Sequence, residues 1–266
     1  MPELPDVENY HRYLTDHGLK REIADVGIGS AKVLDHISGK DLAAALKGRR
    51  MVEARRHGKH ILASLDDGQW LHFHFGMTGF FAAFDDPNTD SAHDRLRFDF
   101  ADGGHLAFDN QRLFGRVGLT QDPADFIEEK ELGPDALAID ADSFIAAFKE
   151  KRGQVKAALM DQSLLAGIGN IYSDEILYDA KLHPKTPVPD LDEDALETLY
   201  KSMRRVLEMA IERGAGFEGV EQRVPDTWLL PHRQDGESCR RCGGTIRSIK
   251  IQSRTAYYCP DCQPAP

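Results

Sequence analysis

Four cysteines near the C-terminal end place the strongest constraint on how this chain folds. They are the only cysteines among 266 residues, spaced as Cys239-x2-Cys242-x16-Cys259-x2-Cys262. Each C-x-x-C pair can place two thiolates on one ion, and the 16-residue span suits a β-hairpin that joins both pairs into a tetrahedral site. Two disulfides are the alternative, which a cytosolic chain disfavours. The spacing therefore predicts one structural zinc ion, which folds a segment too small to have its own core.

Length and composition limit the class of protein. At 266 residues the chain is longer than a typical single domain, so we expect two domains. No run of about 18 apolar residues is present to span a bilayer. The first residues also lack the basic and apolar regions of a signal peptide. We therefore expect a soluble cytoplasmic protein without a membrane partner.

Charge is distributed unevenly along the chain. The formal net charge is −11, yet Lys47–His60 carries a net +5 and Cys239–Cys262 a net +4, whereas Asp122–Asp142 carries −7. Attraction to phosphate is screened over about 8–10 Å at physiological salt, so a local basic face matters more than the total. Each basic run predicts a nucleic-acid contact or, alternatively, an ordinary solvated surface. The negative charge of the rest of the chain is also consistent with a protein from a saline cytoplasm.

The first half of the chain has the pattern of a short helix followed by strands. Val7, Tyr10 and Leu14 lie on one face of a helix that starts just after Pro5. From residue 22 to about 119, apolar and polar residues alternate, with hairpin-type turns such as 66–68 and 102–104. This pattern predicts a two-layer antiparallel β-sandwich flanked by the N-terminal helix.

The second half has helical periodicity. We expect helices at 142–151, at about 154–161 and at 170–180, and a longer helix whose apolar stripe runs from Leu196 to Ile211 and ends at Gly214. The acidic stretch with Gly133-Pro134 predicts a linker. The fold class is therefore α+β with two domains. The expected boundaries are 1–125 for the β-sandwich, 126–140 for the linker, 141–225 for the helical domain, and 226–266 for a loop with the zinc hairpin.

The chain opens Met1-Pro2-Glu3-Leu4-Pro5, which suggests a terminal nucleophile. Removal of Met1 leaves a secondary amine at Pro2, and a free α-amino group titrates near pH ~8. Such an amine condenses with an aldehyde to an iminium that has no N–H proton to lose and stays cationic. The adjacent Glu3 is placed to transfer protons. The alternative is that proline is simply tolerated at this position.

Together these features resemble the family of formamidopyrimidine-DNA glycosylase and its relative endonuclease VIII, from residue 1 to about 262. Seven local motifs occur in the order that this family has them: Met1-Pro2-Glu3-Leu4-Pro5, Gly58-Lys59-His60, His74-Phe75-Gly76-Met77-Thr78-Gly79, Arg112-Leu113-Phe114-Gly115, Leu132-Gly133-Pro134, Leu159-Met160-Asp161 with Gly167-Ile168-Gly169-Asn170-Ile171-Tyr172, and Gln252-x-Arg254. Leu4 and the four-cysteine hairpin look more like the formamidopyrimidine branch. The resemblance implies a monomeric enzyme of the bacterial cytosol or nucleoid, with damaged double-stranded DNA as its partner. It also implies a helix, two turns, helix element in the helical domain.

The resemblance further implies a bifunctional DNA glycosylase and abasic-site lyase of base excision repair, which removes oxidised bases. Pro2 would attack C1′ of the damaged nucleotide and expel the base, after which elimination of phosphate cuts the strand. Glu3 would open the sugar and shuttle protons, and Lys59 would act near the sugar and phosphate. Lys59 is alternatively an ordinary lysine at a strand end.

Other residues match the family's DNA contacts. Met77, Arg112 and Phe114 match a trio that fills the gap left by a flipped-out base. Core packing is the alternative for Met77 and Phe114, although the flanking glycines favour exposed loop tips. Asn170, at the start of a helix, and Arg254, on the zinc hairpin, would hold phosphates. Asn170 is alternatively a simple N-cap. His74 is a phosphate contact or a satisfied interior histidine.

Three departures limit what the resemblance implies. Asp6 replaces the usual glutamate, and we expect it to cap the first helix. The loop before Phe114 is one residue longer than usual. Residues 215–236 lack the family's usual segment, and Trp228 there is either a platform for a base or, preferably, a core residue. The preferred lesion is therefore not predicted, and a non-catalytic protein that binds damaged or gapped DNA is the alternative function.

Overall fold

The computed structural model describes residues 1–266, which divide into two compact units. The first unit contains Met1–Pro2 and Asp6–Lys130, and the second contains Glu3–Pro5 and Glu131–Pro266. The division between Lys130 and Glu131 falls inside the segment that was predicted as a linker. That segment includes the end of a helix, so it is partly helical. No helix has both the length and the apolar character needed to cross a bilayer.

The first unit contains two four-stranded antiparallel sheets. Its strands are β1 Ile23–Ile28, β2 Met51–His57, β3 His60–Leu65, β4 Trp70–His74, β5 Gly79–Phe84, β6 Asp94–Phe100, β7 His105–Asn110 and β8 Arg116–Thr120. The strand order is β1-β6-β7-β5 in one sheet and β2-β3-β4-β8 in the other. Its helices are α1 Leu4–His17, which begins in the second unit, α2 Gly39–Leu46 and α3 Pro123–Glu129, with a 3-10 turn at Ala31–Val33.

Alternating apolar residues join these sheets into one core. Leu96, Phe98 and Phe100 of β6 are buried, as their spacing predicts. Phe73 of one sheet packs against Phe81 of the other, with ring centroids 5.0 Å apart. The turns at 66–68 and 102–104 connect adjacent strands, so the predicted β-sandwich is confirmed.

The first helix begins earlier than the sequence suggested. It starts at Leu4, because Leu4 and Pro5 already have helical backbone conformation. Asp6 therefore lies inside the first turn, and the expectation that it caps the helix is wrong. A carboxylate in the first turn still interacts favourably with the helix dipole.

The second unit is helical apart from one hairpin. Its elements are α4 Ala141–Lys149, α5 Val155–Leu159, α6 Asn170–Asp179, α7 Glu193–Glu212, α8 Val220–Arg223, β9 Arg247–Ile251 and β10 Arg254–Tyr258, with 3-10 turns at Val188–Asp190 and Leu230–His232. The apolar stripe of α7 is buried in the core of this unit, as its 3.6-residue period predicts. Strands β9 and β10 pair antiparallel and form the predicted hairpin between the two cysteine pairs.

Candidate active site, DNA-binding loops and zinc site

The carboxylate of Glu3 is fixed at the N-terminus of α6. Its oxygens accept hydrogen bonds from the backbone N–H groups of Gly169 at 2.8 Å, Ile171 at 2.8 Å and Tyr172 at 3.1 Å, and the residue is 2% exposed. A helix N-terminus has unpaired N–H groups and a partial positive charge, so it stabilises an anion there. A Cβ on Gly169 would lie 2.5 Å from Oε1 of Glu3, so only glycine leaves room. The residue that follows Pro2 is thus held in one position.

This arrangement changes the expected role of the α6 N-terminus. The sequence suggested that its N–H groups hold a phosphate, but Glu3 occupies those of Gly169, Ile171 and Tyr172. Asn170 is the first residue of α6, as expected, and Gly169 is the N-cap. The side chain of Asn170 donates from Nδ2 to the carbonyl of Thr255 at 3.0 Å, so the simple N-cap interpretation is wrong. Asn170 instead links α6 to β10.

A buried ion pair, which the sequence analysis missed, lies beside Asn170. Lys156 is fully buried, and its Nζ donates to Oδ1 of Asp174 at 2.6 Å and to the carbonyl of Asn170 at 3.0 Å. Asp174 also accepts from Nη2 of Arg233 at 2.7 Å and from the N–H of Tyr257 at 3.1 Å. The network connects α5, α6, the 215–236 segment and β10. The sequence feature that could have indicated this ion pair is the single lysine inside the otherwise apolar run 155–159.

The divergent 215–236 segment is anchored to α6 by a second buried acid. Trp228 is 6% exposed and belongs to the core of the second unit, which confirms the core interpretation and contradicts the stacking platform. The carboxyl of Glu175 accepts from the N–H groups of Leu229 at 3.2 Å and Leu230 at 2.8 Å. Burial raises the pKa of Glu175 to about 8. This part of the segment is therefore a packed element rather than an open loop.

Met77 and Phe114 lie on two adjoining loop tips of the first unit. They are 40% and 50% exposed, so the core-packing alternative is wrong for both. The guanidinium carbon of Arg112 lies 5.4 Å from the ring centroid of Phe114. Gly76 has φ +63°, and a Cβ there would lie 2.5 Å from the N atom of Gly115. The backbones of the two loops thus touch, which groups the three side chains of the proposed trio on one surface.

Asn110 holds these two loops together, and the sequence analysis did not identify it. It is fully buried at the end of β7. Its Nδ2 donates to the carbonyl of Phe75 at 2.9 Å, and its Oδ1 accepts from the N–H of Gly115 at 3.2 Å. One amide side chain therefore satisfies a backbone group in each loop.

We expect Asn110→Ala to destabilise the first unit by about 2 kcal/mol, because it leaves the N–H of Gly115 without its partner and removes one of the two hydrogen bonds to the carbonyl of Phe75, which keeps the N–H of Gly79. Urea unfolding monitored by circular dichroism measures this change. Asn88→Ala, in an exposed loop of the same unit, is the control and should cost less than about 0.5 kcal/mol. An equal, small effect of both substitutions would show that Asn110 does not support the loops.

Lys59 and His74 occupy neighbouring positions near strand ends of the same sheet. Lys59 is 7% exposed and lies in the turn between β2 and β3. Burial, with the positive charges of Lys59 and Arg116, lowers the pKa of His74 to about 4. Its Nδ1 accepts from the N–H of Gly76 at 3.3 Å. His74 is therefore an uncharged, hydrogen-bonded histidine, which favours the interior interpretation over a phosphate contact.

The buried histidine His72 makes a pH-dependent contribution to folding. It is 4% exposed, and burial lowers its pKa to about 4, although Asp35 opposes the shift. The unfolded chain binds this proton near pH 6.5 but the folded chain only near pH 4, so stability is lost as pH falls through this window. We expect about 2 kcal/mol less stability from this group at pH 5 than at pH 7. Urea unfolding at both pH values should show a smaller difference for His72→Gln, and an unchanged difference would contradict the assignment.

The two basic runs differ in part once the fold is known, although Arg240 and Arg241 of the second run also face acids, Asp226 and Asp179. In the Lys47–His60 run, five cations face carboxylates: Lys47 with Asp25, Arg49 with Asp66 and Asp67, Arg50 with Glu22, Arg55 with Glu53, and Arg56 with Glu8. That run is therefore largely neutralised, contrary to the expectation of a net +5 face. On the zinc hairpin, Lys250 bonds the hydroxyl of Thr255 and Arg254 contacts the sulfur of Met160, so their charges are not paired with acids. The hairpin is the better phosphate-binding surface.

The four cysteines form a site that fits a zinc ion. All are free thiols, which excludes the disulfide alternative, and their Sγ atoms lie within 4.8 Å of one another. Cys239 and Cys262 are 3.8 Å apart at sulfur, and Cys242 and Cys259 are 3.5 Å apart. Four thiolates at about 2.3 Å from a tetrahedral zinc lie about 3.8 Å from one another. The donor set and its spacing therefore suit zinc with no open position for a substrate.

Comparisons with known proteins agree with this organisation. The formamidopyrimidine-DNA glycosylase N-terminal domain matches residues 1–117, the H2TH domain of the same enzymes matches 132–221, and the zinc finger found in this enzyme family and in isoleucyl-tRNA synthetases matches 236–265. The third match, with the sulfur geometry, confirms the prediction of one structural zinc ion.

Full-length relatives extend these matches. The formamidopyrimidine-DNA glycosylase of Acidothermus cellulolyticus is 36% identical over 100% of this chain and 98% of the relative. That of Geobacter metallireducens is 34% identical over 99% and 100%. A solved complex between the Lactococcus lactis enzyme and DNA containing an abasic site superposes with a TM-score of 0.89, at 28% identity over 99% of this chain and 100% of that one.

The fold, the zinc site and these matches together place the chain among the DNA glycosylases of base excision repair, the class suggested by the sequence. The chain belongs to the formamidopyrimidine-DNA glycosylase family.

Proposed function

We propose that this chain is a bifunctional DNA glycosylase and abasic-site lyase that removes oxidised bases from double-stranded DNA, as a monomer in the bacterial cytosol or nucleoid. The observation that supports this most directly is the Pro2-Glu3 terminus, in which Glu3 is immobilised on α6. A reactive terminal amine needs a fixed neighbour if it is to meet one carbon atom of a substrate repeatedly.

The proposed reaction begins after Met1 is removed. The Pro2 nitrogen forms a bond to C1′ of the damaged nucleotide, and the bond from C1′ to the base breaks, so the base leaves with a proton. The Pro2 nitrogen loses its proton, and the C1′–O4′ bond breaks as O4′ gains a proton, which opens the sugar and gives the iminium. The iminium accepts electrons when C2′ loses a proton, and the C3′–O bond then breaks to release phosphate. Hydrolysis of the iminium frees Pro2. Glu3 transfers protons to the opening sugar, and Lys59 acts near the sugar and its phosphate.

The loop residues and the hairpin supply the DNA contacts in this proposal. Met77 and Phe114 fill the gap left by the extruded nucleotide, and Arg112 faces the base opposite it. Arg254 and Asn170 hold phosphates next to the lesion. The Oδ1 of Asn170 only accepts hydrogen bonds and cannot donate to a phosphate oxygen. Any contact to phosphate therefore uses Nδ2, in place of its bond to the carbonyl of Thr255. His74 contributes by hydrogen-bonding the Met77 loop rather than DNA.

Borohydride trapping tests this proposal. Incubation with duplex DNA that contains an abasic site, followed by reduction, should yield a covalent adduct whose protein mass lacks Met1. The adduct should be strongly reduced in Pro2→Gly, because the iminium of a primary amine loses its N–H proton and does not stay cationic. It should persist in Pro189→Gly, which changes an exposed proline. Binding of abasic DNA without any adduct would instead support the non-catalytic binding protein. A duplex panel with oxidised purines and oxidised pyrimidines then determines the lesion.

A further inference from the structure

Three side chains with metal-ligand chemistry converge in the first unit, away from the zinc site. Asp90, in the loop between β5 and β6, Asp94, at the start of β6, and His105, at the start of β7, each offer one ligand atom. These three atoms lie within 4.8 Å of one another. Three protein ligands that surround one point at such distances match the ligand number of an open metal site.

The strongest indication of an occupant is the unsatisfied hydrogen-bonding capacity of His105. This residue is fully buried, and neither Nδ1 nor Nε2 has a hydrogen-bond partner. Its ring stacks on Phe84 at 5.0 Å between centroids, which fixes the ring plane. Buried polar groups without partners are costly, and native structures rarely leave them so. A cation bound at one ring nitrogen would remove part of this cost.

Asp94 likewise has buried polar atoms without hydrogen-bond partners. Both of its carboxylate oxygens are buried and have no hydrogen-bond partner. Arg97 bonds Oδ1 of Asp90 at 2.5 Å and Oδ1 of Asp99 at 2.7 Å and makes no ion pair with Asp94. Asp90 keeps a second oxygen available. A groove of about 470 Å³, lined in part by Asp90, Ser91 and Asp94, gives access from solvent.

We propose that Asp90, Asp94 and His105 bind a first-row divalent cation such as Mn²⁺ or Zn²⁺. One imidazole with two carboxylates suits these ions, whereas Mg²⁺ and Ca²⁺ prefer oxygen ligands alone. Three protein ligands leave further coordination positions, which water would fill. Because Asp90 belongs to a loop whereas Asp94 and His105 belong to strands, the ion would attach the 85–93 loop to β6 and β7. This site is independent of the proposed glycosylase activity.

Manganese titration of the zinc-loaded protein tests the site. The electron paramagnetic resonance signal of free Mn²⁺ should report one bound ion per chain, since the four-thiolate site retains zinc. Asp94→Asn should weaken binding at least 10-fold. Asp90→Asn should do the same, and this residue is exposed, so its substitution does not threaten folding. Asp86→Asn, an exposed acid on the same loop, is the matched control and should bind within 2-fold of the original protein.

A stability measurement gives an independent result. Saturating Mn²⁺ should raise the Tm of the original protein and of Asp86→Asn, but not of Asp90→Asn, because only a ligand bound to the folded state stabilises it. Equal Mn²⁺ affinity in Asp86→Asn and Asp90→Asn would overturn the site and indicate diffuse binding to surface acids. Absence of bound Mn²⁺, together with a zinc content of one per chain after dialysis against excess zinc, would also overturn it.

Discussion

Substitution of Cys259 by serine is expected to unfold the C-terminal hairpin while the first unit stays folded. Cys259 is fully buried, and its sulfur lies 3.5 Å from that of Cys242. A serine hydroxyl stays protonated and does not replace a thiolate, so the variant loses the closed four-ligand shell. Zinc contributes on the order of 10 kcal/mol to the folding of small four-ligand modules. The first unit keeps its own core of residues from Val7 to Val117 and does not depend on the metal.

This loss should extend to DNA binding. The hairpin carries Lys250 and Arg254, whose charges are not paired with acids, so its unfolding removes phosphate contacts. We expect affinity for abasic duplex DNA to fall roughly 100-fold or more at moderate salt. Zinc content, limited proteolysis and a binding titration measure the three effects. Ser248→Ala, at an exposed position of β9, is the control and should retain zinc and affinity. Full DNA affinity in a zinc-free Cys259→Ser protein would contradict the proposed role of the hairpin.

The elements that could be predicted from sequence are those encoded by local patterns. Leu96, Phe98 and Phe100 alternate with polar residues along β6, and the apolar residues of α7 recur with the period of a helix. Each pattern shows within a few residues which face of the element is buried. The cysteine spacing similarly encodes its own hairpin. The exposure of Met77 and Phe114 was also predictable, because glycines next to them require turns.

The parts that were missed depend on contacts between residues far apart in the chain. Glu3 reaches N–H groups more than 160 residues away, and no local pattern shows that it occupies the α6 N-terminus. The basic run is neutralised by acids such as Glu8, Glu22 and Asp25, which only the fold brings near it. Net charge of a segment therefore overstated its potential for DNA binding. Tertiary pairing, rather than composition, decides which cations remain available.

Lys156→Met is expected to destabilise the second unit by about 3–5 kcal/mol. The substitution keeps a long unbranched side chain but removes a fully buried charge, so Oδ1 of Asp174 and the hydroxyl oxygen of Ser173 lose their donor. The carbonyl of Asn170 keeps the guanidinium of Arg233 as a donor. Removal of one partner from a buried pair costs this much because the other charge stays buried. Arg233 still bonds Asp174 and keeps the loss from being larger. The substitution should also weaken the attachment of β10 to α6, because the N–H of Tyr257 donates to the same carboxylate.

Tryptophan fluorescence can measure this change in one unit alone. The chain has two tryptophans, Trp70 in the first unit and Trp228 in the core of the second, so Trp70→Phe leaves a probe specific to the second unit. Urea unfolding in that background compares Lys156→Met with Lys201→Met, which removes an exposed lysine paired with Glu197 and should cost less than about 1 kcal/mol. Adding Asp174→Asn to Lys156→Met should recover part of the loss, because the stranded charge is removed. If the double variant were as unstable as the sum of the single variants, packing rather than charge pairing would be the source of the stability.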